Sequence, residues 1–509
     1  MPYHEITDLM KHASVKDTAL VAKAYTFAEE AHKNHKRYSG EPYFIHLFET
    51  AKLIAELGAD APTVAAGLLH DSIEDVNVMP ETIRNEFGAD VLMLVEGVTK
   101  LGHLRYRGVD RYSESMRRMF IASSKDLRVL IVKLCDRLHN MRTLQHVPKT
   151  KQLRIAKETL DIYAPIAYRL GIRKVNRELE ELAFPYAYPA EFERVKKLVN
   201  ERKNELLKQL EKFHKSVLRG ITRQGVPIVS TEERLKGLYS LYNKLRHRDW
   251  DFEKIYDLLA LRIKVKTVED CYRALGAIHA IWRPLPGRIK DYIAFPKPNG
   301  YRSLHTTVFT GSGGVVEIQI RTEEMHRESE YGVALHADYK EQGKTVKETQ
   351  KKSFFGSLMS WRGNITSEKG KTMLAIEDVG SGVPAWVRQL GDLDSTLGEQ
   401  EFWEYLREDF FKNRIFIFTP KGDVVDLPTD STPLDFAYAI HSDIGDHLVG
   451  AKVNGKLVPI ETPLHNGDIV EILTKKGARA TAKWLTIART SIAKKHIRNA
   501  LQKPDHKYQ

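Results

Sequence analysis

The chain has 509 residues, room for roughly three or four domains. Its hydrophobic and charged fractions, 42% and 29%, are those of folded globular protein, and its net charge of +12 favours anionic partners: nucleotides, nucleic acid or acidic lipid. Two distant cysteines, Cys135 and Cys271, exclude a disulfide framework or a cysteine zinc cluster and point to a reducing, cytoplasmic setting. The first residues lack the order of a signal peptide, and no apolar run is long enough for a membrane span.

Residues 15–180 read as successive helices. Apolar positions recur at helical spacing from Ala13 to Ala31, and Glu41-Pro42-Tyr43 opens a second run through Leu57. Pro62 suits a first helical turn, and Val64 to Leu69 leads straight into His70-Asp71 as one continuous helix. Leu127 to Leu144 is another, with Asp136 and Asn140 one turn apart. Residues 190–223 form a long amphipathic spacer or packing helix. The period then changes: Leu261–Val265 and Val316–Arg321 alternate as strands, with a helix over Val268–Trp282. Lys340 to about Gly380 has linker composition, and a helical piece follows around Trp386–Phe411. The next stretch is β-rich, with strands at Asn413–Pro420 and Val424–Leu427 and a short helix over Leu434–His441 after the cap signal Asp430-Ser431-Thr432. A hairpin turns at Asn454-Gly455, and Thr481–Gln502 reads as a basic helix.

Two constellations carry chemistry. On a continuous helix, Asp71 lies beside His70, Glu74 returns to within about forty degrees of it, and Asp75 falls just past Asp71. His46 and Asp136, from two other helices, can converge on that face. Two imidazoles and two carboxylates enclose one divalent cation; manganese, zinc or iron suit them better than calcium, and hard ligands with a phosphate substrate favour manganese. Such a cation activates water against a phosphate ester, with Glu74 and Asp75 placed to orient or deprotonate it. An isolated His-Asp pair is more often a hydrogen-bonded surface pair. Here Leu68-Leu69 puts it at the inner end of an apolar helix, where four ionisable groups are costly without a cation. Arg37 can clamp a phosphate or stack on a base; Arg137, His139, Asn140 and Arg142 add polar and cationic groups near Asp136, several of them equally readable as surface charges, and only Arg37 and Asn140 are singled out.

In the second constellation, strand alternation puts Glu317, Gln319 and Arg321 on one face, while Asp257 precedes the neighbouring strand. A magnesium-dependent phosphoryl transfer needs one such acid to ligate the metal and another to take the proton of an attacking hydroxyl. Arg234, Lys236, Lys244, Arg288, Lys290 and Lys297 supply positive charge for a triphosphate. Tyr301 can stack on a purine, with Asn299 or His305 nearby for hydrogen bonds. The glycine-rich phosphate loop of P-loop enzymes is absent.

Nearly the whole chain resembles the long RelA/SpoT family of alarmone synthetase–hydrolases. The motifs that carry this are Arg37-Tyr38-Ser39-Gly40-Glu41-Pro42-Tyr43 with His46, His70-Asp71-Ser72-Ile73-Glu74-Asp75, and Lys133-Leu134-Cys135-Asp136-Arg137-Leu138-His139-Asn140. Further along stand Tyr256-Asp257-Leu258-Leu259-Ala260, Gly287-Arg288-Ile289-Lys290-Asp291-Tyr292, Pro298-Asn299-Gly300-Tyr301 and Glu317-Ile318-Gln319-Ile320-Arg321-Thr322. The resemblance implies a multidomain α and α+β fold. Its parts are an all-helical HD hydrolase domain (1–180), connecting helices (181–224) and a polymerase-β-like nucleotidyltransferase synthetase domain (225–340). A linker with a helical segment (341–412), a ubiquitin-like TGS domain (413–475) and the start of a basic helical region (476–509) follow.

The resemblance also implies the activity: pyrophosphate moves from ATP to the 3′-hydroxyl of GDP or GTP, and (p)ppGpp is hydrolysed back in the stringent response. By it, His46, His70, Asp71 and Asp136 hold manganese, Glu74 and Asp75 serve hydrolysis, Asp257 holds magnesium and Glu317 is the base. Tyr301 would stack on guanine, and Arg234, Lys236, Lys244, Lys290 and Lys297 would contact ATP or phosphates. The Arg-x-Lys-Asp form at 288–291 is that of bifunctional members, and His441, at a helix end of the TGS domain, would meet uncharged tRNA. The ribosome and acyl-carrier or ribosomal regulators are further partners the resemblance brings, and no membrane. The family normally continues into more helices and a regulatory domain, whereas this chain ends at Gln509. Two other readings are a hydrolase-dominant enzyme with a weak synthetase, and a tRNA- or ribosome-binding regulator with vestigial sites.

Overall fold

A computed structural model describes residues 2–10, 13–99, 120–123, 126–252, 255, 258–297, 299–310, 314–332, 405–410, 414–422, 424–475 and 477–502. The chain divides into two compact units, Met1–Lys100 with Arg128–Phe354, and Leu101–Leu127 with Phe355–Gln509. After a single turn at His4–Thr7, the first carries helices α1 (Val15–Ala31), α2 (Phe44–Glu56), α3 (Ala61–Leu69) and α4 (Ser72–Val76). Ser14 and Asp17 close a capping box on α1, and Asp60 caps α3 ahead of Pro62. Helix α2 meets α3 closely: a Cβ on Gly67 would lie 3.3 Å from the Ala51 Cα. Helix α5 (Arg128–Arg142) packs beside them, buried along nearly its whole length.

The continuous helix expected through His70–Asp75 is in fact two. Helix α3 stops at Leu69 and α4 restarts at Ser72, with Asp71 at φ −99°, ψ 0° between them. The His70 ring explains the break. Its Nδ1 donates to the Gly67 carbonyl at 2.8 Å, the group that an unbroken helix would offer to the Asp71 amide. Glu74 and Asp75 therefore do not share one helical face with His70.

Helices α6 (Ala164–Arg169) and α7 (Arg173–Ala187) lead to the 35-residue α8 (Pro189–Arg223). Its apolar stripe serves two cores. Val195 and Val199 pack with Phe184, Leu241 and Leu245, while Leu210, Phe213, Val217 and Ile221 pack on a sheet. That sheet has five strands: β1 (Ile228–Leu235), β2 (Leu259–Val265), β3 (Lys290–Asp291), β4 (Leu304–Phe309) and β5 (Val315–Thr322). Their spatial order is β1-β2-β5-β4-β3, with β2 and β5 parallel. Helix α9 (Leu238–Arg246) follows β1, α10 (Val268–Ile281) backs the sheet and α11 (Glu323–Tyr331) follows β5.

The second unit pairs β6 (Arg414–Phe418) with β7 (Val424–Pro428) and sets β8 (Leu448–Val453) between β9 (Lys456–Val458) and β10 (Val470–Thr474). Asn454 and Gly455 both have positive φ, 52° and 79°, as the expected two-residue hairpin requires. Helix α12 (Pro433–Ile440) starts from a Thr432–Asp435 capping box and is followed by α13 (Ser442–Asp446). The single basic helix expected over Thr481–Gln502 is two, α14 (Trp484–Ile487) and α15 (Ser491–Gln502). The buried Asp435 carboxylate accepts from the Arg489 and Thr490 amides at 2.9 and 2.8 Å, holding that corner open. The expected linker at 341–412, and the helical piece within it, lie outside the described residues apart from 405–410. Among the described residues no helix is long and apolar enough to cross a membrane.

Candidate functional site

Three elements bring the first constellation together. His46 comes from α2, His70 and Asp71 from the α3–α4 break, and Asp136 from α5. One ligand atom each from His46, His70 and Asp136 lie within 4.8 Å of one another, and all three residues are buried. His46 Nε2 is 3.3 Å from Asp136 Oδ1 and 3.6 Å from Asp71 Oδ2. His70 Nε2 is 3.0 Å from Asp71 Oδ2, yet makes no aligned hydrogen bond among the described residues. The His70 Nδ1 proton is committed to the Gly67 carbonyl, so in the neutral ring the Nε2 lone pair faces the carboxylates. Two imidazole nitrogens and the Asp136 carboxylate, with Asp71 beside both rings, make a donor set that a divalent cation completes. Without a cation, burial works against the imidazolium of His70. The Asp71 and Asp136 carboxylates outweigh it and raise His70 to about 9.

The carboxylates are held from behind. Asp136 accepts from the buried Lys133 ammonium at 2.7 Å and from Asn140 Nδ2 at 2.5 Å. Asp71 accepts from the Tyr43 hydroxyl at 2.8 Å. Burial, then the Asp71 and Asp75 charges, raise the Tyr43 phenol and keep it a donor. Arg37 spends its fork on the same frame: Nη2 donates to Asn140 Oδ1 at 2.5 Å and Nη1 to His139 Nδ1 at 3.0 Å. His139 Nδ1 is also 2.8 Å from His46 Nδ1. Burial, then His46 and Arg37, push His139 down to about 3, so its ring is neutral.

The second constellation lies on the sheet. Tyr301 O–H donates to His305 Nε2 at 2.7 Å, and His305 Nδ1–H donates to Glu317 at 3.0 Å. Gln319 Nε2 donates to the other Glu317 oxygen at 3.0 Å. Beside this chain is a polar cavity of about 80 Å³, lined by Arg173, Arg177, Arg234, Arg262, Lys297 and Arg321, with Tyr301 and Glu330. Like charges crowd it. Burial, then Arg177 and Arg262, lower Arg234 to about 10, and burial, then Arg173 and Lys290, lower Lys297 to about 8. An anion would relieve both.

A domain described as an HD domain matches residues 24–173, a region found in RelA / SpoT proteins matches 233–344, and a TGS domain matches 415–474. A GTP pyrophosphokinase of Myxococcus xanthus is 42% identical over 96% of this chain and 61% of its own length. A probable guanosine-3′,5′-bis(diphosphate) 3′-pyrophosphohydrolase of Synechocystis is 42% identical over 94% of this chain and 60% of its own. The Aquifex aeolicus protein named for the same hydrolase activity is 40% identical over 95% and 65%. The chain thus carries an HD, a RelA/SpoT and a TGS region in that order. It spans about three fifths of the length of these curated relatives.

His46, His70 and Asp136 cluster, with Asp71 against both imidazoles, while Glu74 is half-buried and Asp75 exposed on the separate α4. Arg37 and Asn140 bond to each other and to the ligand frame. Asn299 lines the cavity and spends its amide on the Tyr168 carbonyl, to which it donates at 3.0 Å. Lys290 and Lys244 lie close enough to act on Lys297, Arg288 is half-buried beside the exposed Lys290, and Lys236 follows β1 with its amide on the Leu258 carbonyl. Asp257 lies outside the described residues; Ala260, three residues on, pairs with Glu317 across β2 and β5. His441 ends α12, and its Nδ1 accepts from the Asp443 amide at 3.1 Å. Sequence reasoning passed over Lys133, although its spacing of three from Asp136 was a signal, and gave no role to His139, which is 6% exposed. It also missed Arg173 and Arg177, which reach the cavity from a helix N-terminal to the sheet, and Arg262 on β2.

Proposed function

We propose that the chain is a bifunctional alarmone enzyme of the stringent response, acting in the cytoplasm. The helical site hydrolyses (p)ppGpp to GDP or GTP and pyrophosphate, and the sheet site makes it from ATP and GDP or GTP. The observation that carries the hydrolytic half is the buried cluster of His46, His70 and Asp136, with an Asp71 oxygen 3.6 and 3.0 Å from the two imidazole Nε2 atoms. His46, His70, Asp71 and Asp136 would hold manganese, which when bound supplies Lewis acidity toward a phosphate and a lowered pKa for a water nucleophile. The chain's own work is to keep both histidines oriented, to hold the Asp136 carboxylate with Lys133 and Asn140, and to present Glu74 and Asp75 for proton transfer.

For synthesis, Asp257 would hold magnesium. Glu317, fixed between His305 and Gln319, would accept the proton of the 3′-hydroxyl as its oxygen bonds to the β-phosphorus of ATP and AMP leaves. The cavity's guanidinium groups and Lys297 would take up phosphate charge, with Lys236, Lys244, Arg288 and Lys290 around them. Tyr301, backed by Arg321 at 5.9 Å, would stack on guanine. His441 and the basic tail would serve uncharged tRNA or the ribosome. The test is chromatography of nucleotides after incubation with ATP and GDP plus magnesium, and of purified product with manganese. Asp71→Ala should abolish hydrolysis and spare synthesis, and Glu317→Gln the reverse; loss of both activities from either change refutes two separate sites.

A further inference from the structure

One histidine nitrogen next to the candidate cation site serves two neighbours at once. His139 Nδ1 lies 3.0 Å from Arg37 Nη1 and 2.8 Å from His46 Nδ1. A guanidinium has donors and no acceptor, so His139 Nδ1 must be the bare, accepting nitrogen of its ring. His46 Nδ1 must then carry its proton, because the alternative sets two lone pairs against each other at 2.8 Å. With that proton fixed, the neutral His46 ring can present only a lone pair from Nε2, toward Asp136 and Asp71. The Gly67 carbonyl does the same for His70.

We infer that His139 is a positioning residue that selects the metal-binding tautomer of His46, and that Arg37 enforces the choice from the far side. Partners behind metal-bound histidines fix tautomer and ring orientation in this way. The same guanidinium reaches Asn140, which donates to Asp136, so one arginine steadies the partners of two candidate ligands on two helices. His139 contributes no ligand atom itself; its ring sits tilted against His46 with centroids 5.0 Å apart.

This rests on the metal reading above, and the test separates the two. Manganese alone is titrated calorimetrically into the full chain and into His139→Asn, His139→Gln and His139→Leu, with helical circular dichroism as the check on folding. Asparagine keeps an acceptor near the position of Nδ1, glutamine displaces it by one carbon, and leucine removes it. Expected are near wild-type affinity for the asparagine variant and a loss of roughly 10–100-fold for leucine and glutamine. Equal affinity in all four proteins, or equal loss in all three variants, overturns the inference. Should the leucine variant not fold, the asparagine and glutamine pair decides on the same terms. A wild-type chain that takes up no manganese sinks the metal reading itself.

Discussion

Replacing Asp136 by asparagine keeps its shape and removes the charge that Lys133 faces. Lys133 Nζ sits 2.7 Å from Asp136 Oδ2, and both side chains are less than a tenth exposed. Burial alone would lower Lys133, but Asp136 first, and then Tyr163, raise it above the ordinary lysine value. Leaving one member of a buried pair uncompensated costs roughly 3–5 kcal/mol. The upper end has its own ceiling: the ammonium can shed its proton, which at pH 7 costs about 5 kcal/mol for a group that starts near 10.5. A loss of that size lowers the melting midpoint by about 10 °C in a domain of a few hundred residues. The discriminating variant is Lys133→Met with Asp136→Asn. It removes both charges, should recover most of the lost stability, and should still fail to bind manganese. Urea titrations of the four metal-free proteins give the coupling, expected above about 2 kcal/mol. A single Asp136→Asn variant as stable as wild type, or a double variant no better than the single, would show that the ion pair does not hold this carboxylate.

Three further outcomes follow from the same geometry. His70 is raised to about 9, so the metal-free fold draws stability from its proton below the unfolded value of 6.5 and loses it as pH climbs through 9. A cation must displace that proton, so manganese affinity should rise about tenfold per pH unit between 7 and 9, with close to one proton released in calorimetry; a flat profile contradicts the assignment. Lys297 is lowered to about 8, so triphosphate binding should take up a proton near that pH and weaken above it. Lys297→Gln should flatten that dependence, and a wild-type affinity constant from pH 7 to 9 would refute it. In the second unit, Asp435→Ala strips the Thr432, Arg489 and Thr490 amides of their acceptor and should expose the corner between α14 and α15 to limited proteolysis; unchanged cleavage would deny that this carboxylate pins it.

The candidate cation ligands were legible in the sequence because their chemistry is carried by residue type: few arrangements other than a metal site bring two histidines and two aspartates together in a core. What the sequence hid depends on contacts between elements. Arg37 and His139 are 102 positions apart, and no helical or strand period relates them. The break at His70-Asp71 carries neither proline nor glycine, and it arises from a side chain taking a backbone carbonyl. The interrupted tail is of the same kind, since Asp435 reaches Arg489 and Thr490 from more than fifty residues away. Strands β2 and β5, helix α12 and the Asn454-Gly455 turn, all specified by local pattern, lie within a residue or two of expectation.

Helix α7 is where the two sites meet. Lys174 and Glu178, one turn apart, bind Glu56 of α2 at 2.8 Å and Arg142 of α5 at 2.6 Å, the helices that carry His46 and Asp136. Arg173, Arg177 and Glu181 mark a different face: Arg173 and Arg177 line the cavity beside the sheet, Arg177 pairs with Glu330, and Glu181 accepts from the Tyr239 amide at 3.2 Å. Those ion pairs to α2 and α5 are about a third exposed and contribute little stability singly. The stiffness comes from buried Val175, Leu179 and Ala183, and from the tight approach of Gly332 to Gly171, where an added Cβ would stand 2.6 Å from a carbonyl carbon. A helix gripped on both faces cannot turn to suit one site without disturbing the other. Opposed reactions run together would only consume ATP, so GDP at the sheet should weaken manganese binding at the helices, typically by 5-fold or more for a coupling of about 1 kcal/mol. Reciprocity requires manganese to weaken GDP by the same factor, and Arg177→Met should shrink both effects together. Manganese affinity unmoved by saturating GDP in the wild type, or coupling untouched by Arg177→Met, would leave α7 as no more than a shared wall.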